Sequence, residues 1–228
     1  MSADAKEAAQ ALTLSQLPLF PLQTVLFPGG WMPLRIFEVR YLDMINRCDK
    51  AGAPFGVVCL SEGSEVRRIN PKAPPTGDAF AREVFFPVGT LASIERLERP
   101  QAGLLVIHCR GLQRFQINAS HKLPHGLWVA DVTRQQDDTV VPVPEDLRST
   151  RDALQRLLEN LREREPDSLG ELPLQPPYRW DDSGWVASRW IELLPAPPAI
   201  KQRLMMLDNP LLRLELVSDL LDKMGVER

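Results

Sequence analysis

Leu17 to Tyr41 reads LPLFPLQTVLFPGGWMPLRIFEVRY, and the rest of the chain is organised around it. Leu17, Leu19, Phe20 and Leu22 form a short apolar run. Pro18 and Pro21 cannot donate to a strand ladder, so this run is expected at an edge or a bend. Val25 to Phe27 continue it, and Pro28-Gly29-Gly30 then forces a turn or bulge. Trp31, Met32, Leu34 and Ile36 make a second strand. From Phe37 the period changes: Phe37, Tyr41, Met44, Ile45 and Cys48 recur at i, i+4, i+7, i+8 and i+11, a helical stripe. Gly52 is a stop for that helix and Pro54 prevents its continuation.

Beyond this stretch, short apolar runs alternate with Gly and Pro turns. Phe55 to Leu60 reads as a buried strand. Residues 61–82 turn polar around PKAPPTGD (71–78), a long loop at a hairpin tip. Val84 to Thr90 and Leu91 to Leu97 resume the sheet, and Leu104 to Arg110 returns as a hairpin partner. Gly111 is expected to break the run before a further strand, Leu112 to Ile117. His121 to Gly126 is a loop, and Leu127 to Thr133 the last strand. Such a series suggests a small closed or half-closed barrel.

The texture then changes. Residues 135–144 are polar and then extended, a linker. Leu147, Leu154, Leu157, Leu158 and Leu161 mark a helix ended by Pro166. Asp181, Asp182 or Ser183 can cap the next, whose Val186, Trp190, Leu193 and Leu194 face inward. Ile200 to Leu207 is a short helix, and Asn209-Pro210 reads as cap and first residue of the last. Leu214, Val217, Leu221 and Met224 share one of its faces. The class is α+β: a leader at 1–14, a β-rich part with one helix at 15–134, the linker, and a bundle of about four helices at 145–228.

Composition narrows the function. With 228 residues, 44% of them hydrophobic and 25% charged, the chain is an ordinary globular one. A net charge of −3 disfavours nucleic acid as the main partner. No run approaches the roughly 18 apolar residues of a membrane span, and the first residues lack the pattern of a secretory signal. Cys48, Cys59 and Cys109 are odd in number and sit in apolar contexts, which reads as buried free thiols and fits a reducing cytoplasm.

No residue set points to catalysis, a cofactor or a metal. His121 and His125 are four apart, but Pro124 and Gly126 put them in a loop without a third ligand. His108 falls mid-strand. Asp137-Asp138 and Asp181-Asp182 read as solvated loop acids. Glu38, Arg40 and Tyr41 admit two readings. They form a peptide-binding rim, or Glu38 starts the helix, an arginine pairs with it and Tyr41 packs on the barrel. Gly111 and Arg114 likewise serve either a partner or strand geometry and surface charge. Trp31, Trp180 and Trp185 are candidate partner contacts, since such sites favour Trp, Tyr and Arg, although a tryptophan also serves as core. The groove between barrel and bundle is the expected place for them, with the loop at 71–78 closing over it.

The chain resembles the Lon N-terminal (substrate-binding) domain family. The resemblance lies in LPLFPL (17–22), LFPGG (26–30), PLRIFEVRY (33–41), Val88-Gly89-Thr90, Gly111 to Phe115 and Ala130 to Val132. It continues in Trp190 to Pro195, Lys201-Gln202 with Leu204, and Arg213-Leu214, and so covers residues 15–224. It implies a PUA-like β pseudo-barrel followed by a helical bundle. The PLRIFEVRY wording is similar to that of stand-alone members. The GxxxxGK[ST] phosphate loop is missing, and so is a Ser-Lys peptidase domain. The implied role is therefore a non-catalytic recognition module for polypeptide, including unfolded segments, acting alone or with a protease or chaperone machine. RNA binding is the alternative, because the PUA-like barrel is shared with RNA-binding domains. The acidic balance and the few basic clusters, Arg67-Arg68 and Arg110 to Arg114, weigh against it.

Overall fold

The structure is a computed structural model that describes residues 13–63, 83–164, 172 and 174–226. Strands come first: β1 (Thr13–Leu22), β2 (Trp31–Ile36), β3 (Phe55–Glu62), β4 (Val84–Phe85), β5 (Val88–Gln101), β6 (Leu104–Lys122) and β7 (Trp128–Arg134). Helix α1 (Val39–Ala51) lies between β2 and β3. A 3₁₀ turn (Glu145–Leu147) then leads into α2 (Arg148–Arg164), α3 (Ser183–Leu193), α4 (Pro198–Met205) and α5 (Pro210–Lys223). The class is α+β, as the change of periodicity predicts. The loop expected at 71–78, the pair Arg67-Arg68 and all but the last two residues of the expected leader lie outside the described residues. Thr13 and Leu14 already belong to β1.

The sheet runs β1-β7-β6-β5-β3, and β3 returns to pair with β1 in parallel, so five strands close into a ring. The ring is not an even barrel. β2 hangs on β6 alone, and the two-residue β4 hangs on β3. Of the two readings that its prolines allow, an edge or a bend, β1 is not an edge, since β7 and β3 flank it. It pairs with β7 from Thr13 to Leu19 and with β3 from Leu19 to Leu22. Pro18 therefore lies before the β3 pairing starts, and Pro21 after the β7 pairing ends. Each proline occupies a stretch with only one paired flank, where a missing N–H is tolerated.

β6 also corrects the sequence reading. Gly111 does not break it; one strand of 19 residues runs through. The glycine is there because another backbone lies against it. A Cβ at Gly111 would sit 2.0 Å from the Phe27 carbonyl oxygen. The Gly29 N–H donates to the Gly111 carbonyl at 2.8 Å, and the Gly111 N–H to the Gly30 carbonyl at 2.9 Å. The Pro28-Gly29-Gly30 turn is thus seated on β6, with Gly29 at φ +71°.

Glu38 has extended dihedrals, so α1 begins at Val39 and Phe37 falls before it, 56% exposed rather than on the buried stripe. Gly52 ends α1 in the left-handed conformation. In the helical part, α3 is buried from Ser183 through Ile191 and so is a central helix rather than a surface one. Met224 lies just past α5 and is exposed, unlike Leu214, Val217 and Leu221. One apolar cluster crosses the joint: Phe27, Cys59 and Val88 of the strand part pack with Leu154, Trp185, Val186, Trp190 and Leu214. The ring and the helices therefore share a core, and shared burial of this kind resists relative motion.

Candidate functional site

A cleft of about 620 Å³ opens along this joint. Pro28 and Gly29 lie at its base. β6 contributes Arg110 to Arg114, the segment after β7 contributes Gln136 to Asp138 and Val140, and the start of α3 contributes Gly184, Trp185 and Ser188. Leu112 and Val140 present exposed apolar side chains. Asp182 caps α3, its carboxylate accepting from the Gly184 and Trp185 N–H groups at 3.0 and 3.3 Å. That occupies the donors a helix start otherwise offers to an anion.

The base of the cleft is held from behind. Arg189 is fully buried, and its Nη2 donates to the Pro28 carbonyl at 3.0 Å. Its Nε lies 2.8 Å from the Glu192 carboxylate. Gly30 gives Glu192 its room, since a Cβ there would meet Oε1 at 2.1 Å. Burial pushes the Glu192 carboxyl up to about 7, against the opposing pull of Arg189, the Phe27 N–H and Lys201. Burial also lowers Arg189 and Lys201.

A second polar bridge crosses the joint. Asp138 accepts from Arg114 at 2.9 Å and from Arg213 of α5 at 2.6 Å. Arg114 also donates to the Met205 carbonyl at 3.1 Å, and Arg213 to the Leu204 carbonyl at 3.1 Å and to that of Leu207. Asp138 is therefore no free loop acid; it receives two buried guanidinium groups. Each arginine lining the cleft has a carboxylate neighbour: Glu95 for Arg110, Asp138 and Asp208 for Arg114, Asp182 for Arg179.

The six candidate residues separate into two places. Arg114 and Trp185 line the cleft. Trp180 packs edge-on against Trp185 at 5.0 Å and stacks on Tyr178 at 5.3 Å. Trp31 stacks on His108 beneath the Arg110 guanidinium, which lines the cleft. Glu38 and Tyr41 border a separate hollow of about 160 Å³ beside Phe37. There Arg40 bonds Glu38 at 3.2 Å and the Gly126 carbonyl at 2.7 Å, and Tyr41 packs edge-on against Phe20 at 4.2 Å. Arg40 also pairs with Glu83. Burial would raise the Glu83 carboxyl, but Lys122, Trp128 and Arg40 together hold it below its usual range. The cysteines are free and buried, and burial drives the Cys109 thiol up to about 12.

A family profile described as the ATP-dependent protease La (LON) substrate-binding domain matches residues 16–223. The chain belongs to this family. It is similar to a solved Lon N-terminal domain protein from Xanthomonas campestris, at 29% identity and TM-score 0.67, over 90% of this chain and 98% of that one. The N-terminal domain of Mycobacterium avium complex Lon protease shares the fold, at 19% identity and TM-score 0.52, over 90% of this chain and 96% of that one. No curated protein matches.

In this Lon substrate-binding domain, much of the shared wording turns out to serve the joint. LFPGG, Gly111, Arg114, Glu192, Gln202 and Arg213 all meet there. Gln202 donates to the Val88 carbonyl at 2.8 Å. Sequence reasoning missed both polar bridges of the joint, Arg189 with Glu192 and Asp138 with Arg213. The available signal was charge at positions of otherwise apolar helices: Arg189 and Glu192 interrupt an apolar run in α3, as Arg213 does in α5.

Proposed function

We propose that the cleft binds a segment of polypeptide and does no chemistry on it. The observation that carries this is the composition of the cleft wall in a Lon substrate-binding domain. Leu112 and Val140 offer exposed apolar surface beside Trp185. Gln113, Asp137 and Arg179 set polar groups around it. An extended segment needs both, apolar contact for side chains and polar groups for its amides. Trp31 and Trp180 support the wall through Arg110 and Trp185, and Arg114 fixes its shape. Glu38 and Tyr41 belong to a separate rim. In this reading the segment is unfolded, and it is passed to a protease or chaperone machine. Buried free thiols suit a reducing compartment such as the cytoplasm, and no helix among the described residues is long and apolar enough to cross a membrane.

The test is fluorescence anisotropy with a reduced, alkylated and so permanently unfolded polypeptide. Leu112→Asp with Val140→Asp leaves the core untouched and is expected to weaken binding about tenfold or more, the scale of about 1.4 kcal/mol. Unchanged affinity in the folded double variant overturns the proposal.

A further inference from the structure

The Arg189–Glu192 pair sits directly behind the base of the cleft. Glu192 is packed against the turn that forms that base, close enough to Gly30 to leave no room for a Cβ. Arg189 is fully buried and holds the same turn through the Pro28 carbonyl. Its Nη1 has no hydrogen-bond partner among the described residues and lies 3.5 Å from the Cβ position of Gly29, a cleft residue. Cations from α4, from β6 and from the segment before α3 surround the pair. Lys201 of α4 donates to the Glu192 carbonyl at 2.9 Å and acts on its carboxylate, the Phe27 N–H faces that carboxylate, and Arg110 of β6 and Arg179 act on Arg189.

We propose that the Arg189–Glu192 pair is a proton-operated latch on the cleft. As an ion pair it clamps the Pro28-Gly29-Gly30 turn. When Glu192 takes up a proton from solvent, Arg189 loses its counter-charge and with it the attraction that holds the guanidinium in place. The guanidinium then shifts past Gly29 toward the cleft, and the turn moves with it. The cleft wall thus has two positions, selected near neutral pH, where burial has placed the Glu192 carboxyl. This goes beyond the polypeptide-binding reading and does not depend on it.

The experiment is a pH titration of the whole chain by NMR, with glutamate labelled with ¹³C at the carboxyl carbon. The Glu192 signal is expected to titrate with a midpoint near 7. The Gly29 and Gly30 amide signals and the Trp185 indole signal are expected to shift with the same midpoint. Glu192→Gln removes those shifts. The latch is overturned if Glu192 titrates near its ordinary value of 4.5. It is equally overturned if the turn and Trp185 signals stay flat through its midpoint, or if the shifts survive in Glu192→Gln. The wild-type titration decides the matter even if that variant does not fold.

Discussion

The middle of Leu17–Tyr41 and its C-terminal end sit in opposite circumstances. The turn at Pro28-Gly29-Gly30 is locked by three neighbours: Gly111 of β6, Arg189 and Glu192 of α3. The end, where β2 gives way to α1, leaves Phe37 56% exposed beside a small hollow and Val39, next to Glu38, 73% exposed. Both parts are equally distinctive as sequence. Only the locked one lies on the large cleft. Distinctive wording therefore marks two different demands: close approach of backbones at the turn, and a buried Arg40 network under an open rim where α1 begins.

Gly111→Ala should break this contrast most severely. Its Cβ would lie 2.0 Å from the Phe27 carbonyl oxygen, so a loss on the order of 4 kcal/mol or failure to fold is expected in urea unfolding. Gly103→Ala, at φ +77° with no atom within 4 Å of its Cβ, should cost only about 1 kcal/mol.

Arg189→Ala leaves Glu192 buried without its cation. A loss of about 3 kcal/mol is expected at pH 8, shrinking at pH 5.5 where the carboxyl is protonated. The sign for the wild type follows from linkage. The folded carboxyl titrates near 7 against an ordinary 4.5, so between those values the folded chain holds the extra proton. The contribution of Glu192 to stability is present below pH 4.5 and is lost as pH rises through 7. Melting temperatures across that range should fall more steeply for wild type than for Glu192→Gln.

Arg114→Ala removes two charged partners and a carbonyl, but Asp208 is exposed and adds little. About 2 kcal/mol is expected by denaturant unfolding. Val39→Ser, at the open end, should change stability by less than about 0.5 kcal/mol; a large loss there would erase the contrast between the two parts.

The switch from strand to helix texture after residue 134 was legible, because the period of apolar residues changes with the element that buries them. So was a cap just before the apolar run of α3, read as Asp181, Asp182 or Ser183, of which Asp182 fills the place. The ring closure was not. Pro18 and Pro21 look like edge residues, and nothing local says that β1 passes from one partner to another at Leu19. Gly111 reads as a breaker because a glycine's sequence neighbours do not reveal which distant backbone lies against it. The groove between strands and helices was anticipated as a location, and Trp185 and Arg114 do line it. The ionic joint behind it depends on pairings between residues some 75 to 160 positions apart, such as Asp138 with Arg213 and Pro28 with Arg189.

Polypeptide is expected to bind at the locked joint and not at the open rim. Site-directed photo-crosslinking tests it most directly, with a benzophenone side chain placed in turn at Leu112, Val140 and Val39 and a reduced, alkylated polypeptide as the target. Crosslinks from the positions of Leu112 and Val140, with only background from that of Val39, are the predicted result. Capture from the Val39 position with none from the two cleft positions would place the binding surface at the rim instead.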